Sequence, residues 1–360
     1  MRRLSAALIS VSLVACSGGA STPTGPGATA LTATVTVTDA VTGAPIAGVT
    51  VVTAPLQAQP SSASGVMTIS VERRSDSPET ATLNAAGYLP RSFALKVPGA
   101  AAAVTMIPAS FNVSAFDEMA RVSRLQRWIA APPLRVLTRT MRFASVQQSS
   151  GVAIDDVMTT SERDRLESDL TSGLPILTGN RYTAFASVTR EQAAVDASTD
   201  ILRDAVITVA RYTGLTEATG FVGYARWQLR SDGAVLAGTI MLDRDFDAAG
   251  SPQVRLVRIH ELGHALGYTH VTATTASVMN ATAVEPTDFD RQATRIAFQR
   301  PPGNQRPDAD PASVSLNSLS AGVWSRGEGL PLRALQLHGT ETVERVAGQI
   351  GQRVHHDVRR

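Results

Sequence analysis

Three histidines, a glutamate and a glycine fall within eleven consecutive residues: His260, Glu261, His264, Gly267 and His270. Histidines four apart on a helix lie one above the other on the same face, so two imidazoles can reach a single ion about 2.0–2.1 Å from each. Gly267 can adopt positive φ, which lets the helix stop and the chain double back to bring His270 to the third position. Three neutral ligands leave a fourth position for water or substrate, the pattern of catalytic rather than structural zinc. Glu261 projects beside the pair, placed to take the proton of a metal-bound water whose pKa zinc lowers to about 7. The chain has six histidines, and a five-residue constraint of this kind arises by chance on the order of 10⁻⁵ per chain. The run therefore reads as one metal site rather than as scattered core or surface histidines.

The site needs a rigid carrier, and the preceding residues specify one. Ser251 suits an N-cap and Pro252 the first helical position, where its missing N–H has no partner to lose. At 100° per residue Ile259, Leu262 and Leu266 cluster opposite His260 and His264, while Val254, Leu256 and Val257 add apolar surface elsewhere. The helix is expected to be buried nearly all round.

The pattern H-E-x-x-H-x-x-G-x-x-H resembles the zinc signature of the metzincin clan of metalloendopeptidases. Ser277, Val278, Met279 and Asn280 follow at a distance that suits that clan's methionine-containing turn, and their S-V-M is similar to the matrixin-like branch. The resemblance implies His260, His264 and His270 as zinc ligands, Glu261 as general base and acid, and Met279 as the turn methionine. It covers roughly residues 128–300 and implies a mixed sheet backed by helices, with one strand at the cleft edge pairing with an extended substrate. Val271 departs from the small hydroxyl residue usual after the third histidine. Ala281 stands where some members carry a metal-reaching tyrosine, so no tyrosine switch is expected. No histidine precedes His260, so the second, structural zinc of animal matrixins is not expected. Asp243, Asp245 and Asp247 alternate either as calcium ligands or as a solvated acidic turn.

With 360 residues the chain is long enough for two domains plus tails. Its formal net charge of +2 and lack of a compact basic, aromatic-interleaved patch give no indication of nucleic-acid binding. Arg2 and Arg3 precede an apolar run over 4–14, too short for a membrane span and suited to a secretory signal. Leu13, Val14, Ala15 and Cys16 resemble the lipobox of bacterial lipoproteins, which implies a lipidated Cys16 as the mature first residue and a lipid anchor to the membrane. An ordinary secreted protein with a chance cysteine is the alternative. Cys16 is the only cysteine, so no intrachain disulfide can form and no thiol is left for the cysteine latency of animal matrixins.

The expected organisation is a signal peptide over 1–16, a Ser/Thr/Gly/Pro tether over 17–30, a β-sandwich over 31–108, a zinc metalloprotease domain over 109–300 and a C-terminal tail over 301–360. Period-2 alternation from Thr32 to Thr38, with turn signals at Gly43 and Pro45, predicts the sandwich. The run from Asp39 to Val49, with Gly65, Gly87 and Tyr88, resembles the carboxypeptidase regulatory-like module, which implies a spacer or docking unit. Within 109–300 a connector with helical character is followed by strands near Leu134–Leu137, 205–210, 223–229 and 238–243 and a surface helix from Thr160. Thr287 and Asp290 predict a capped terminal helix. His338, His355 and His356 lie in the tail, and a second metal site is not expected there.

The fold class is thus α+β: a metzincin-like catalytic domain preceded by an all-β sandwich. The function expected is zinc-dependent hydrolysis of peptide bonds in a protein or peptide substrate, with Zn2+ as cofactor, at the bacterial cell envelope. The alternative is a surface binding or scaffolding lipoprotein with a vestigial metal site.

Overall fold

The computed structural model describes residues 30–71, 78–272, 274–282, 284–312 and 322–335. Cys16 with its signal run, the tether, the segment 341–354, His338, His355 and His356 lie outside the described residues. The described chain is a mixed α/β structure of many strands and a few helices, an α+β protein in the broad sense.

Seven strands come first: β1 (Leu31–Asp39), β2 (Thr50–Val51), β3 (Gln57–Ala58), β4 (Val66–Val71), β5 (Glu79–Asn84), β6 (Arg91–Leu95) and β7 (Ala102–Met106). They form a four-stranded sheet in the order β3-β4-β1-β7 and a three-stranded sheet in the order β2-β5-β6. Alternation is the cause: β1 buries Ala33, Val35 and Val37 while Thr32 and Thr34 face out. These meet Met67, Ile69, Leu83, Phe93 and Val104 in a small core of their own.

The second body begins with α1 (Val113–Ala120) and β8 (Arg127–Trp128), then β9 (Leu134–Arg142), β10 (Ser150–Val157), α2 (Thr160–Leu177), β11 (Val188–Glu191), β12 (Ser198–Asp200) and β13 (Ile207–Thr213). It continues with α3 (Leu215–Thr219), β14 (Phe221–Leu229), β15 (Ala234–Asp243), α4 (Arg244–Ala248), α5 (Pro252–Ala265), α6 (Asp288–Phe298), β16 (Val323–Trp324), β17 (Glu328–Pro331) and α7 (Leu332–Leu335). The sheet runs β12-β10-β9-β13-β15-β14-β16, with β11 on β9, β8 on β15 and β17 on β14. β9, β13 and β15 are parallel, whereas β14 returns antiparallel to β15. β13 and β15 are buried almost throughout, as parallel strands covered on both faces must be.

α5 carries His260 and His264 and packs on α2, β14 and β15. Ser251 accepts from Gln253 N–H as its N-cap and Pro252 opens the first turn, as the sequence predicts. Ile259, Leu262, Ala265 and Leu266 sit in one core with Leu166, Leu170, Leu174 and Leu177 of α2 and Ile296 of α6. Both neighbouring helices start on capping boxes, Thr159 with Glu162 for α2 and Thr287 with Asp290 for α6.

Polar contacts lock this frame. Buried Asp247 accepts from Arg211 at 2.5 Å and from Arg258 at 2.7 Å, and Arg258 reaches Asp169 at 2.8 Å, which ties β13, α4, α5 and α2 together. Asp243 caps α4 by accepting from the N–H groups of Asp245 and Phe246. Two of the three alternating aspartates are therefore buried in structural roles rather than turned toward one ion or toward solvent. The stretch just after α6, expected to open a tail, is also fixed. Arg300 makes a bidentate pair with buried Asp308 at 2.8 and 2.7 Å and donates to the carbonyl of Thr105 in β7 at 3.0 Å. Arg91 of β6 reaches Asp310 at 2.6 Å. These bonds couple the sandwich to the second body.

Leu174 is fully buried where α2 meets α5. A Leu174→Ala chain should lose about 2–5 kcal/mol of stability through the cavity it leaves, read as a lower urea midpoint with an unchanged slope.

Candidate metal centre

α5 ends after Ala265, and the turn that ends it sets the spacing of the three histidines. Gly267 takes φ 104°, its N–H donates to the carbonyl of His264 at 2.9 Å, and Tyr268 N–H donates to the carbonyl of Gly263 at 3.0 Å. This is the paired closure of a Schellman motif. The chain then turns back, with Thr269 N–H donating to the carbonyl of Met119 in α1 at 2.8 Å, and His270 is delivered opposite the helix.

The Nε2 atoms of the three rings converge: His260 to His264 is 2.9 Å, His260 to His270 is 3.1 Å and His264 to His270 is 3.2 Å. Among the described residues this is the one cluster of His, Cys, Asp or Glu that could hold a metal ion. Nitrogens about 2.0–2.1 Å from a shared tetrahedral ion stand about 3.3–3.4 Å apart, so the observed spacing is slightly tighter.

Second contacts settle which nitrogen carries the proton. His260 Nδ1–H donates to the carbonyl of Val278 at 2.7 Å and His264 Nδ1–H to the carbonyl of Tyr268 at 2.7 Å. A carbonyl oxygen only accepts, so in both rings the proton is on Nδ1 and the Nε2 lone pair is free. The Nδ1 of His270 lies 3.1 Å from Oε2 of Glu328, which also accepts the His270 backbone N–H at 2.9 Å. Burial pushes the His260 pKa down to about 3 and lowers those of His264 and His270. Three unprotonated nitrogens thus aim their lone pairs at one point, an arrangement that repels itself until a cation stands there.

Glu261 meets the same conclusion from another side. It is fully buried and neither carboxylate oxygen has a partner in hydrogen-bonding geometry, a costly state for a carboxylate. Burial raises its pKa well above the usual range. The nearby backbone N–H of Leu330 acts against that shift, and the charge of Glu328 adds to it. Glu261 lies against β14, where Gly223 makes room: a Cβ at that position would stand 2.5 Å from Oε1. Trp227, four residues along β14, stacks on the ring of His264 with centroids 6.3 Å apart.

Beneath the rings lies Met279, fully buried with its sulfur over Gly263, where any Cβ would collide with it. The turn is held by Asp290 of α6, which accepts from Ser277 Oγ at 2.5 Å and from Val278 N–H at 3.0 Å. Asn280 donates to the carbonyls of Val271, Thr272 and Thr275. The carbonyl that orients His260 therefore depends on a carboxylate of α6.

The structure brings together His260, Glu261, His264, His270 and Met279. Two further contributors, Glu328 and Gly223, were not picked out from the sequence, and only the first of them has no local signal there. Glu328 lies 58 residues beyond His270 in a stretch expected as tail. Gly223 could have been found, because a glycine inside an apolar strand marks a close approach.

Asp290→Ala should destabilise the fold by about 1–3 kcal/mol, since buried donors of Ser277 and Val278 lose their acceptor. It should also weaken metal binding by about 10–100-fold through His260. Competition with a chelating dye and urea unfolding of the metal-free protein measure the two separately. Comparison of the chain with protein-family models and with curated proteins finds no match.

Proposed function

We propose that the protein is a zinc-dependent endopeptidase of metzincin-like architecture. The observation that carries the reading is three Nε2 lone pairs converging beside a buried, unpartnered carboxylate on the same helix. The donor set fits zinc, which takes neutral imidazoles in tetrahedral array and keeps a fourth position open in catalytic sites. When bound there, zinc supplies a Lewis acid and a water of lowered pKa.

The chain's own groups do the rest. His260, His264 and His270 hold the ion, each oriented through Nδ1. Glu261 accepts the water's proton on a carboxylate oxygen and returns it to the departing amine nitrogen. Met279 and Gly263 set the floor of the site. β14, the last long strand on this side of the sheet, is the strand along which an extended peptide would pair, in the place that β16 and β17 take in this structure, and its backbone hydrogen bonds would present the scissile carbonyl.

The substrate is a protein or peptide. By the resemblance of its first residues to a lipoprotein leader, the enzyme is anchored through Cys16 at the cell envelope, facing outside the cytoplasm. Among the described residues no helix is long and apolar enough to cross a membrane. The sandwich acts as spacer or docking unit.

Glu261→Ala should bind zinc as the parent does and cleave an unfolded protein substrate about 10²–10⁴-fold more slowly. Metal content by mass spectrometry and the initial rate of peptide release check this. Parent-like turnover in that variant would remove the proposed mechanism.

A further inference from the structure

The outer edge of β14, which the proposed function assigns to substrate, is taken by the chain itself. β17 pairs antiparallel with β14, Leu330 opposite Gly223, Gly329 opposite Tyr224 and Glu328 opposite Ala225. β16 continues along the same edge, with Trp324 opposite Gln228. Gly223 is the residue against Glu261, so the pairing brings Leu330 over the carboxylate, and Leu330 N–H is the backbone donor near it. Leu330 is fully buried in the main core. Glu328, on the same face, reaches His270.

The segment is shaped for this seat. A Cβ on Gly329 would stand 2.7 Å from the Tyr224 ring and 2.8 Å from the Gly223 carbonyl oxygen. One on Gly327 would stand 2.6 Å from the Ala225 oxygen, and one on Gly322 2.7 Å from Gln228. Three glycines at three close approaches let the strand lie nearer to β14 than side chains would allow. Further contacts hold it: Ser325 Oγ accepts from Trp227 N–H at 3.1 Å, and Arg226 lies over the Trp324 ring at 5.7 Å. The result is a site in which His260, Glu261 and His264 have no exposed surface. While the strand is seated, a general base sealed in this way does not meet an external peptide.

We propose that residues 322–331 are an intramolecular occupant of the substrate groove, a strand laid in the place of a substrate that keeps the enzyme latent until it is displaced. The proposal rests on the peptidase reading. It gives this chain a latency that needs no cysteine. The occupant adds backbone hydrogen bonds to β14 as a substrate would, and any substrate must compete with a segment already attached.

The test compares zinc-loaded parent, a chain ending at residue 312, and full-length Gly329→Val, which leaves Glu328 in place but cannot seat against Tyr224. Latency predicts that both altered chains cleave an unfolded protein at least about tenfold faster than the parent, the factor set by a minor open state. It also predicts that a peptide hydroxamate bound to the parent raises amide hydrogen exchange in 322–331, a readout independent of turnover. Equal or lower rates in both altered chains, with no change in exchange on hydroxamate binding, would overturn the proposal and leave the peptidase reading standing. If the zinc-loaded Gly329→Val chain, which keeps Glu328, and the parent neither cleave nor bind the hydroxamate, the peptidase reading and the latency fall together.

Discussion

The direction of three lone pairs is the constraint on which the rest of the structure depends. Which imidazole nitrogen is presented to a metal is fixed when the other is committed elsewhere, and here each Nδ1 has a partner: the carbonyls of Val278 and Tyr268 and the carboxylate of Glu328. The first carbonyl belongs to a turn held by Asp290, the second to the residue that closes α5, and the carboxylate to β17. The packing of α5 on α2 and β14 keeps all three in register. Changes far from the three converging nitrogens thus act on them by rotating a ring.

Much of the candidate metal site was legible in the sequence because its determinants are local. His260, His264, Gly267 and His270 lie on one helix and its closing turn, where spacing alone fixes geometry. Ser251 and Pro252 announced the helix start, and Thr287 with Asp290 announced α6. The alternation of β1 marked the sandwich.

What stayed hidden depends on pairing between distant segments. β16 and β17 are two and four residues long, lie among Pro and Gly, and gain their strand character only from the edge of β14. Sequence at such a place resembles a turn, since β propensity reflects the surface a segment packs against. The same holds for Asp243 and Asp247. Their alternate spacing left calcium and solvation open, whereas the arginines that decide the matter for Asp247 come from β13 and α5. Residues after α6 were expected as tail because nothing local shows that Arg300 and Asp308 close a loop against the sandwich.

The covered edge of β14 has a consequence for solubility. A long apolar strand with free N–H and C=O groups on one side is a template for any other extended chain, including a second copy of the same protein. With β16 and β17 in place that template is withdrawn from neighbouring copies. Proteolytic loss of the C-terminal residues would therefore change colloidal behaviour, and self-association of the shortened chain through its exposed sheet margin would follow.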